Sequence, residues 1–323
     1  MEDKMNIAFV GPGIMPIPPT GWGAVEMLIW DYATILGELG HTGVIINTPD
    51  REEIIKELKE DTFDIVHLHY DVFHDIIPDM LEASTGKLIV SSHYPYINES
   101  GYWHRDNYNP IVKSYSDNKQ FNIFASSAKD IDTFIKHGAV SENCWLSRLG
   151  VDESSYSFDK EASYDRSICF SQICDRKRQY LIQDLDNVDF AGRVEGGFFS
   201  NGKNYKGEIP RDELNKLITK YSNFILLSST ENTTPLVVKE ALICGLGVVV
   251  SEDVSVELDT SEDFIDVIPE SNIDDLDYIK DILVKNRDYS TKHREEIRDY
   301  GIQKFSLSKI LEFEYVPKLK SLL

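Results

Sequence analysis

Cysteine and long apolar runs are both scarce in this chain. Only four of its 323 residues are cysteine, and none of them forms a Cys-x-x-Cys pair: Cys144, Cys169, Cys174 and Cys244. They lie in or beside apolar runs, which favours reduced, buried thiols over disulfides or a zinc site. No apolar run approaches membrane-spanning length, and the acidic start of the chain is unlike a signal peptide. We therefore expect a cytoplasmic protein with no integral membrane segment.

Basic residues are also few. The chain carries 33 Lys and Arg against 55 Asp and Glu, which gives a formal net charge of −22. A large nucleic-acid surface needs many cations to neutralise phosphates, so we expect no nucleic-acid partner. A broad basic face for anionic lipid is excluded for the same reason. The apolar content of 41% is enough to form the cores of two α/β domains.

Strand and helix patterns alternate along the chain, which is typical of doubly wound parallel sheets. The predicted strands are Asn6–Val10, Thr42–Asn47, Phe63–His69, Leu88–His93, Phe121–Ser127, Ser167–Ile173, Val188–Phe190, Phe224–Leu227 and Val248–Val250. The predicted helices include Ala24–Leu39, Glu52–Glu60, Arg211–Tyr221, Asn272–Lys285, Thr291–Lys304 and Leu307–Leu322.

The stretch from Ser228 to Ser251 reads as a strand end, a loop, a helix and a further strand. Thr234 is expected to cap the helix, with Pro235 at its first position and Gly245 at its end. Free amides at a helix start favour an anion, and the Glu240 carboxylate suits sugar hydroxyls. The alternative is a plain core βαβ unit with an exposed glutamate.

This stretch resembles the donor-binding signature of the retaining family 4 glycosyltransferases of GT-B fold. Several residues fall in register with that signature: Pro235, Glu240, Ala241, Gly245, Val248, Val249 and Ser251. In the signature, an acidic residue is separated from the position of Glu240 by seven residues. This chain has Asn232 at that place, and Glu231 directly precedes it. Either the loop bulges and Glu231 contacts the donor sugar, or Asn232 has taken over that position.

The resemblance implies two facing Rossmann-like domains with a cleft between them and a C-terminal helix that returns to the first domain. The segment Arg148–Asp152 resembles the family's inter-domain connection. The implied limits are 1–152 for the acceptor-side domain, 153–305 for the nucleotide-sugar-binding domain and 306–323 for the helix.

The loop Gly11–Gly23 follows the first strand and is rich in Gly and Pro. It fails the dinucleotide fingerprint because Pro16 stands where a third glycine is needed. It resembles the amino-terminal loop of the family, and Gly21 and Gly23 are the positions carried over to donor binding. The alternative is a surface loop with turn glycines.

Two predicted strands end in histidine at the same edge of the first sheet. The resemblance places His93 beside the sugar and gives His69 a weaker claim, whereas hydrogen-bonded structural histidines are the alternative. The aromatic stretch at 99–109 would suit an acceptor sugar or pack on its own domain. The acceptor candidates are His69, Tyr94, His104 and Arg105.

A basic turn, Asp175–Arg178, follows the first strand of the second half. Family members have an Arg and a Lys here that hold the pyrophosphate. Lys177 matches the Lys and Gln172 replaces the Arg, so Arg176 or Arg178 is needed to restore the charge. A basic cluster in so acidic a chain indicates a nearby anion, and a solvated basic loop is the alternative.

The resemblance therefore implies retaining, metal-independent transfer of a sugar from a nucleotide sugar, UDP- or GDP-linked, to a hydroxyl of a glycan, glycolipid or other acceptor, with no cofactor. Two alternatives stay open, namely an epimerase of the same fold and a catalytically silent nucleotide-sugar-binding protein. The implied catalytic residues are His93, Glu231 and Lys177. The implied donor contacts are Gly21, Gly23, Gln172, Arg176, Asn232, Thr234, Pro235, Leu236, Val237 and Glu240.

Overall fold

A computed structural model describes residues 4–20, 23–117, 119–195 and 204–323 of the chain. These residues fold into two compact units. Unit 1 comprises Met1–Arg148 together with Ser308–Leu323, and unit 2 comprises Leu149–Leu307.

Unit 1 is built on a six-stranded parallel sheet with the strand order β2-β1-β3-β4-β5-β6. Its strands are β1 (Asn6–Val10), β2 (Thr42–Ile46), β3 (Ile65–Leu68), β4 (Lys87–Ser91), β5 (Asn122–Ala125) and β6 (Cys144–Leu146). Its helices are α1 (Ala24–Glu38), α2 (Arg51–Glu60), α3 (Ile77–Ala83), α4 (Ser100–Arg105), α5 (Asn109–Asp117) and α6 (Ala128–Lys136).

Strand β1 lies in the interior of this sheet. Its residues Ile7 to Val10 are fully buried, as expected for a parallel strand covered on both faces. It pairs with β2 on one side and β3 on the other, so the winding direction reverses between β1 and β3. Loops diverge at such a switch point, which is where ligands bind in open α/β sheets.

Unit 2 is built on a five-stranded parallel sheet with the strand order β11-β10-β9-β7-β8. Its strands are β7 (Tyr164–Phe170), β8 (Val188–Ala191), β9 (Tyr221–Leu226), β10 (Gly247–Ser251) and β11 (Ile265–Ile268). Its helices are α7 (Arg211–Leu217), α8 (Leu236–Ile243), α9 (Leu276–Ser290) and α10 (Arg294–Phe305). The two sheets confirm the prediction of two doubly wound α/β units.

The end of the chain belongs to unit 1. It runs through α11 (Leu307–Ile310), a π-helical turn at Leu311–Tyr315 and α12 (Val316–Leu322). The hydroxyl of Tyr315 lies 2.7 Å from Nδ1 of His67 on β3, so a hydrogen bond ties this segment to the centre of the sheet.

Several predicted helix limits are wrong. The helices expected over Asn272–Lys285 and Thr291–Lys304 span Leu276–Ser290 and Arg294–Phe305. The helix expected over Arg211–Tyr221 ends at Leu217, and Tyr221 begins β9, where its hydroxyl donates to the buried Asp189 carboxylate at 2.9 Å. The helix expected to start at Pro235 begins at Leu236. The predicted end of that helix is confirmed, because Gly245 adopts a φ of 78° and a Cβ there would lie 2.8 Å from the carbonyl oxygen of Arg294.

Candidate functional site

The switch point of unit 2 lies between β7 and β9, because β8 pairs with the opposite side of β7. The loops that follow β7 and β9 meet at this point. Their backbones are joined, since the Ser229 amide donates to the carbonyl oxygen of Arg176 at 2.9 Å. The candidate site of unit 2 is formed by these two loops.

The loop after β7 supplies two cations. It forms a short 3₁₀ turn at Asp175–Lys177, which is closed by a hydrogen bond of 3.0 Å from the Lys177 amide to the carbonyl oxygen of Cys174. Arg178 then leaves the turn with a φ of 55°. This short turn takes the place of a full first helix and projects Arg176 and Lys177 towards the loop after β9.

The loop after β9 supplies the matching carboxylate. Oε1 of Glu231 accepts hydrogen bonds from Nη1 of Arg176 and Nζ of Lys177, both at 2.6 Å. The hydroxyl of Ser228 donates to the same oxygen. The side chains of Glu231 and Lys177 are only 10% and 9% exposed. These residues therefore form a buried, charge-assisted cluster, which we call the switch-point cluster: Arg176, Lys177, Ser228 and Glu231.

Burial and nearby charge act in opposite directions on Glu231. Burial by itself raises the pKa of this carboxyl, but the Lys177 and Arg176 cations and the Ser228 hydroxyl hold the pKa below its ordinary value. Glu231 is therefore ionised at neutral pH. Its position depends on the preceding residue, Thr230, which has a φ of 55° and donates its amide to Asp253 at 2.7 Å.

Arg178 does not join the cluster. Its guanidinium makes two hydrogen bonds of 2.9 Å to Glu270, whose side chain is 57% exposed. Of the two arginines proposed to replace the family's Arg, the structure places Arg176 beside Lys177. Gln172, which stands at the position of that Arg, is exposed just after β7.

The start of α8 differs from its prediction. Thr234 does not cap the helix, because its hydroxyl donates to the carbonyl oxygen of Val254 at 2.9 Å and accepts from the Glu257 amide at 3.1 Å. Thr234 is fully buried, and its hydroxyl ties the loop after β9 to the segment that follows β10. Leu236 and Val237 form the first turn of α8 and are half-buried. Pro235 precedes that turn.

Glu240 is the fifth residue of α8 and does not lie at its start. Its side chain is 4% exposed and accepts a hydrogen bond of 3.0 Å from Nη2 of Arg211. The same nitrogen donates to the Tyr156 hydroxyl at 2.5 Å. The Glu240 carboxylate is therefore buried in an ion pair with Arg211. The alternative interpretation, which predicted an exposed glutamate, is wrong.

Of the remaining donor candidates, Asn232 lies in unit 2 and Gly23 lies in unit 1. Asn232 is half-buried directly after Glu231. Gly23 precedes the first residue of α1 with a φ of 135°, and a Cβ there would lie 2.7 Å from Sδ of Met15. Gly21 lies outside the described residues.

Unit 1 brings three histidines together at the carboxyl edge of its sheet. Nδ1 of His69 lies 3.2 Å from Nε2 of His93, and the two rings stack at 5.5 Å. The His67 ring lies 3.9 Å from that of His69, and its Nε2 lies 2.8 Å from the Ser91 hydroxyl. His67 and His69 are buried, whereas His93 is half-buried and is the histidine most open to a ligand.

All three histidines are uncharged at neutral pH. Burial lowers the pKa of His93 to about 4. Burial, with a smaller effect of His93, lowers the pKa of His67 to about 3. The pKa of His69 is lowered in the same way by burial and by its two neighbours. Each ring therefore offers one hydrogen-bond donor and one acceptor. They supply no positive charge for a phosphate.

The aromatic stretch after β4 is largely engaged with itself. The Tyr94 hydroxyl donates to Asp106 at 2.7 Å, and the Tyr94 ring stacks on that of Tyr108 at 4.0 Å. Arg105 lies 4.4 Å from the centre of the Tyr102 ring and pairs with Asp106 at 2.6 Å. His104 is exposed. These contacts favour the alternative in which this stretch packs on its own unit.

Sequence reasoning missed several partners of the site residues. Ser228 is the first residue of the stretch Ser228–Ser251 that resembles the donor-binding signature. Its position close after β9 is the sequence feature that could have predicted its place in the site. Arg211 and Tyr156 hold Glu240 from 29 and 84 positions away, and no local pattern indicates either pairing.

No protein-family model matches the chain, and no curated protein matches its sequence at a significant level. Solved structures match it over nearly its whole length and give its fold class as GT-B, as the resemblance implied. HepE of Anabaena, solved in complex with UDP-glucose, is 15% identical with a TM-score of 0.75, and the match covers 99% of this chain and 100% of that one.

Sucrose-phosphate synthase of Thermosynechococcus elongatus is 12% identical with a TM-score of 0.76, and the match covers 99% of this chain and 100% of that one. AviGT4, a glycosyltransferase involved in avilamycin A biosynthesis, is 16% identical with a TM-score of 0.65, and 98% of each chain is covered. At these identities the likeness establishes the fold and not the reaction.

The described residues contain neither a membrane-spanning helix nor a cluster of metal ligands. In the described ranges, no helix combines the length and the apolarity needed to cross a bilayer. No group of three or more His, Cys, Asp and Glu side chains within the same ranges is arranged to hold a metal ion.

Proposed function

We propose that this chain is a retaining glycosyltransferase that moves a sugar from a nucleotide-sugar donor to an acceptor hydroxyl. The observation that carries the proposal is the switch-point cluster of unit 2. Two adjacent cations suit a diphosphate, and a carboxylate beside them suits sugar hydroxyls. The fold supports the proposal, because HepE was solved with UDP-glucose and AviGT4 is a glycosyltransferase.

In the proposed reaction, the bond between the anomeric carbon and the phosphate oxygen breaks while a bond to the acceptor oxygen forms. Negative charge develops on the leaving diphosphate, where Lys177, Arg176 and the amides at the start of α8 stabilise it. The acceptor proton passes to the departing diphosphate. The acceptor then attacks the anomeric carbon from the same face of the sugar that the diphosphate leaves, and the configuration is retained. Neutral His93 contributes a hydrogen bond to the sugar.

We propose that these fixed cations replace a metal ion, so that the enzyme needs no cofactor and takes a UDP- or GDP-sugar as its co-substrate. The acceptor would be a glycan, a glycolipid or another hydroxyl-bearing molecule. A chelator such as EDTA should then leave the rate of transfer unchanged. A rate that falls with EDTA and returns with a divalent cation would refute this part of the proposal.

The donor is identified by a thermal-shift panel of nucleotide sugars. A ligand at a hundred times its Kd should stabilise the fold by about 2.7 kcal/mol. The Lys177→Met variant is the matched control and should respond weakly. If no nucleotide sugar stabilises the wild-type protein, the proposed donor site is wrong.

The reaction is then tested by measuring free nucleotide with and without acceptor mixtures. Nucleotide released only with acceptor is the result expected for a transferase. Nucleotide released together with an altered free sugar would identify an epimerase of the same fold. Binding without any release would identify a nucleotide-sugar-binding protein.

A further inference from the structure

Both cations of the proposed diphosphate site already have an anionic partner. Arg176 and Lys177 donate to a single oxygen of Glu231, and Ser228 donates to it as well. The pair formed by Lys177 and Glu231 is almost fully buried. A phosphate that approaches these cations therefore has to displace this carboxylate or share the cations with it.

The backbone that carries the two cations does not depend on Glu231 for its position. The backbone of Arg176 is held by the Ser229 amide at 2.9 Å, and the turn that carries Lys177 is closed by its own backbone. The carbonyl oxygen of Ser228, on the opposite loop, accepts from the Ser251 hydroxyl at 2.5 Å. Removing the carboxylate should therefore leave the turn intact and leave its two cations without their anionic partner.

The carboxylate is likewise positioned by its own loop. Thr230 holds a left-handed conformation and its amide is bound by Asp253, so the residue that follows points back at the cations. Glu231 therefore has a definite position to which it returns whenever no ligand anion occupies the cations.

We propose that Glu231 acts as a built-in counter-ion that competes with the ligand's diphosphate for Arg176 and Lys177. This inference rests on the proposed function. A nucleotide sugar brings the hydroxyls of the transferred sugar, next to its diphosphate, to the displaced carboxylate, whereas the nucleoside diphosphate left after transfer has no sugar on its terminal phosphate. Glu231 therefore selects the donor over the nucleoside diphosphate and promotes the release of that product after transfer.

The size of the effect follows from population. When only a fraction of the protein is in the state that can bind a ligand, the apparent affinity for that ligand is reduced by that fraction. While Glu231 is bound to Arg176 and Lys177 in the switch-point cluster, these cations are not available to a ligand, and the affinity for a diphosphate that carries no sugar is lowered. Replacing Glu231 by Gln keeps the side chain's length and removes its charge, so the penalty should disappear.

The test uses inorganic pyrophosphate, which has neither a sugar nor a base, titrated calorimetrically into the whole protein. Glu231→Gln should bind it at least about tenfold more tightly than the wild-type protein does. The matched control is Glu270→Gln, which frees Arg178 in the same loop from an exposed pair. It should change the affinity by less than about twofold. Lys177→Met should bind weakly.

The outcomes separate this inference from the proposed function. If the wild-type protein binds pyrophosphate and Glu231→Gln binds it no more tightly, the counter-ion role is refuted and the anion site stands. If Glu270→Gln tightens binding as much as Glu231→Gln does, the effect is one of general charge and the inference fails. If neither the wild-type protein nor Glu231→Gln binds, the anion site and the inference fail together.

A second variant guards against a folding defect in Glu231→Gln. Glu231→Asp keeps the charge but withdraws it by one methylene, so it should tighten pyrophosphate binding by a smaller factor. For the nucleotide sugar found in the panel, Glu231→Gln should tighten binding less than it does for pyrophosphate, or weaken it. Equal tightening of both ligands would refute the selection of donor over product.

Discussion

Replacing Lys177 by Met removes one of the two cations on Glu231 and keeps a similar apolar stem. Removing one partner of a buried ion pair costs about 3–5 kcal/mol of folding stability. Here the carboxylate keeps Arg176 and Ser228 on the same oxygen. We therefore expect a loss of about 1.5–3 kcal/mol in the free energy of unfolding at pH 7, in the range of one hydrogen bond to a charged group.

The loss should depend on pH in a definite direction. The pKa of Glu231 is held below its ordinary value in the folded protein. Its ionised form therefore stabilises the fold at pH values above the unfolded pKa, and this stabilisation is lost as the pH falls through the folded pKa. Removing Lys177 raises the folded pKa, so the difference between variant and wild type should be full at pH 7 and shrink at pH values below about 4.

Urea unfolding at pH 7 and at lower pH measures this difference. The described tryptophans, Trp30, Trp103 and Trp145, belong to unit 1, and the fourth, Trp22, lies outside the described residues. Their fluorescence follows that unit, whereas far-UV circular dichroism follows both. Lys177→Met should shift the dichroism transition that belongs to unit 2.

Arg178→Met is the control, because Arg178 comes from the same loop and its pair with Glu270 is exposed. It should cost no more than about 1 kcal/mol, as surface pairs do. A cost for Lys177→Met that is absent at pH 7, or that is the same at low pH, would show that the cation does not stabilise ionised Glu231.

Three further predictions concern the other candidate residues. His93→Ala should leave the fold intact and reduce transfer at least about tenfold, with a milder effect on transfer for His69→Ala; the reverse order would move the sugar away from His93. Glu240→Gln should weaken nucleotide-sugar binding and destabilise unit 2 by about 1–3 kcal/mol, because Arg211 loses its partner; melting as high as that of the wild type would contradict this. Asn232→Ala should lower nucleotide-sugar affinity by less than about 1 kcal/mol, and a loss of about 1.5–3 kcal/mol would assign the sugar contact to Asn232.

The sequence predicted nine of the eleven described strands, because buried parallel strands are short apolar runs, and it missed β6 and β11. The prediction for β1 matches the structure at both ends, and those for β2, β3 and β4 differ by one or two residues at an end. The ends of such strands also indicated where polar side chains gather, since parallel strands share one carboxyl edge. The sequence placed His69 and His93 at one edge, and the structure brings them to 3.2 Å.

Local pattern failed where a distant residue decides the outcome. Threonine is a common helix-capping residue, but the Thr234 hydroxyl is hydrogen-bonded to the backbone of Val254 and Glu257 instead. The sequence predicts Glu240 as a donor-sugar contact or, in the alternative, as an exposed glutamate, and the structure places it in a pair with Arg211 where its side chain is buried. The partners of Thr234 and Glu240 lie at least 20 positions away along the chain. The periodicity of a single helix or strand therefore does not predict these contacts.

The sequence by itself determined the fold class, the order of the strands along the chain and the two loops that carry the charges of unit 2. Only the tertiary structure decided that Arg176 and not Arg178 joins Lys177 at Glu231. Arg178, which follows Lys177, and Thr230, which precedes Glu231, both have a left-handed backbone conformation. Glu231 meets Arg176 from 55 positions away along the chain, and that meeting depends on how the sheet places the ends of β7 and β9 side by side.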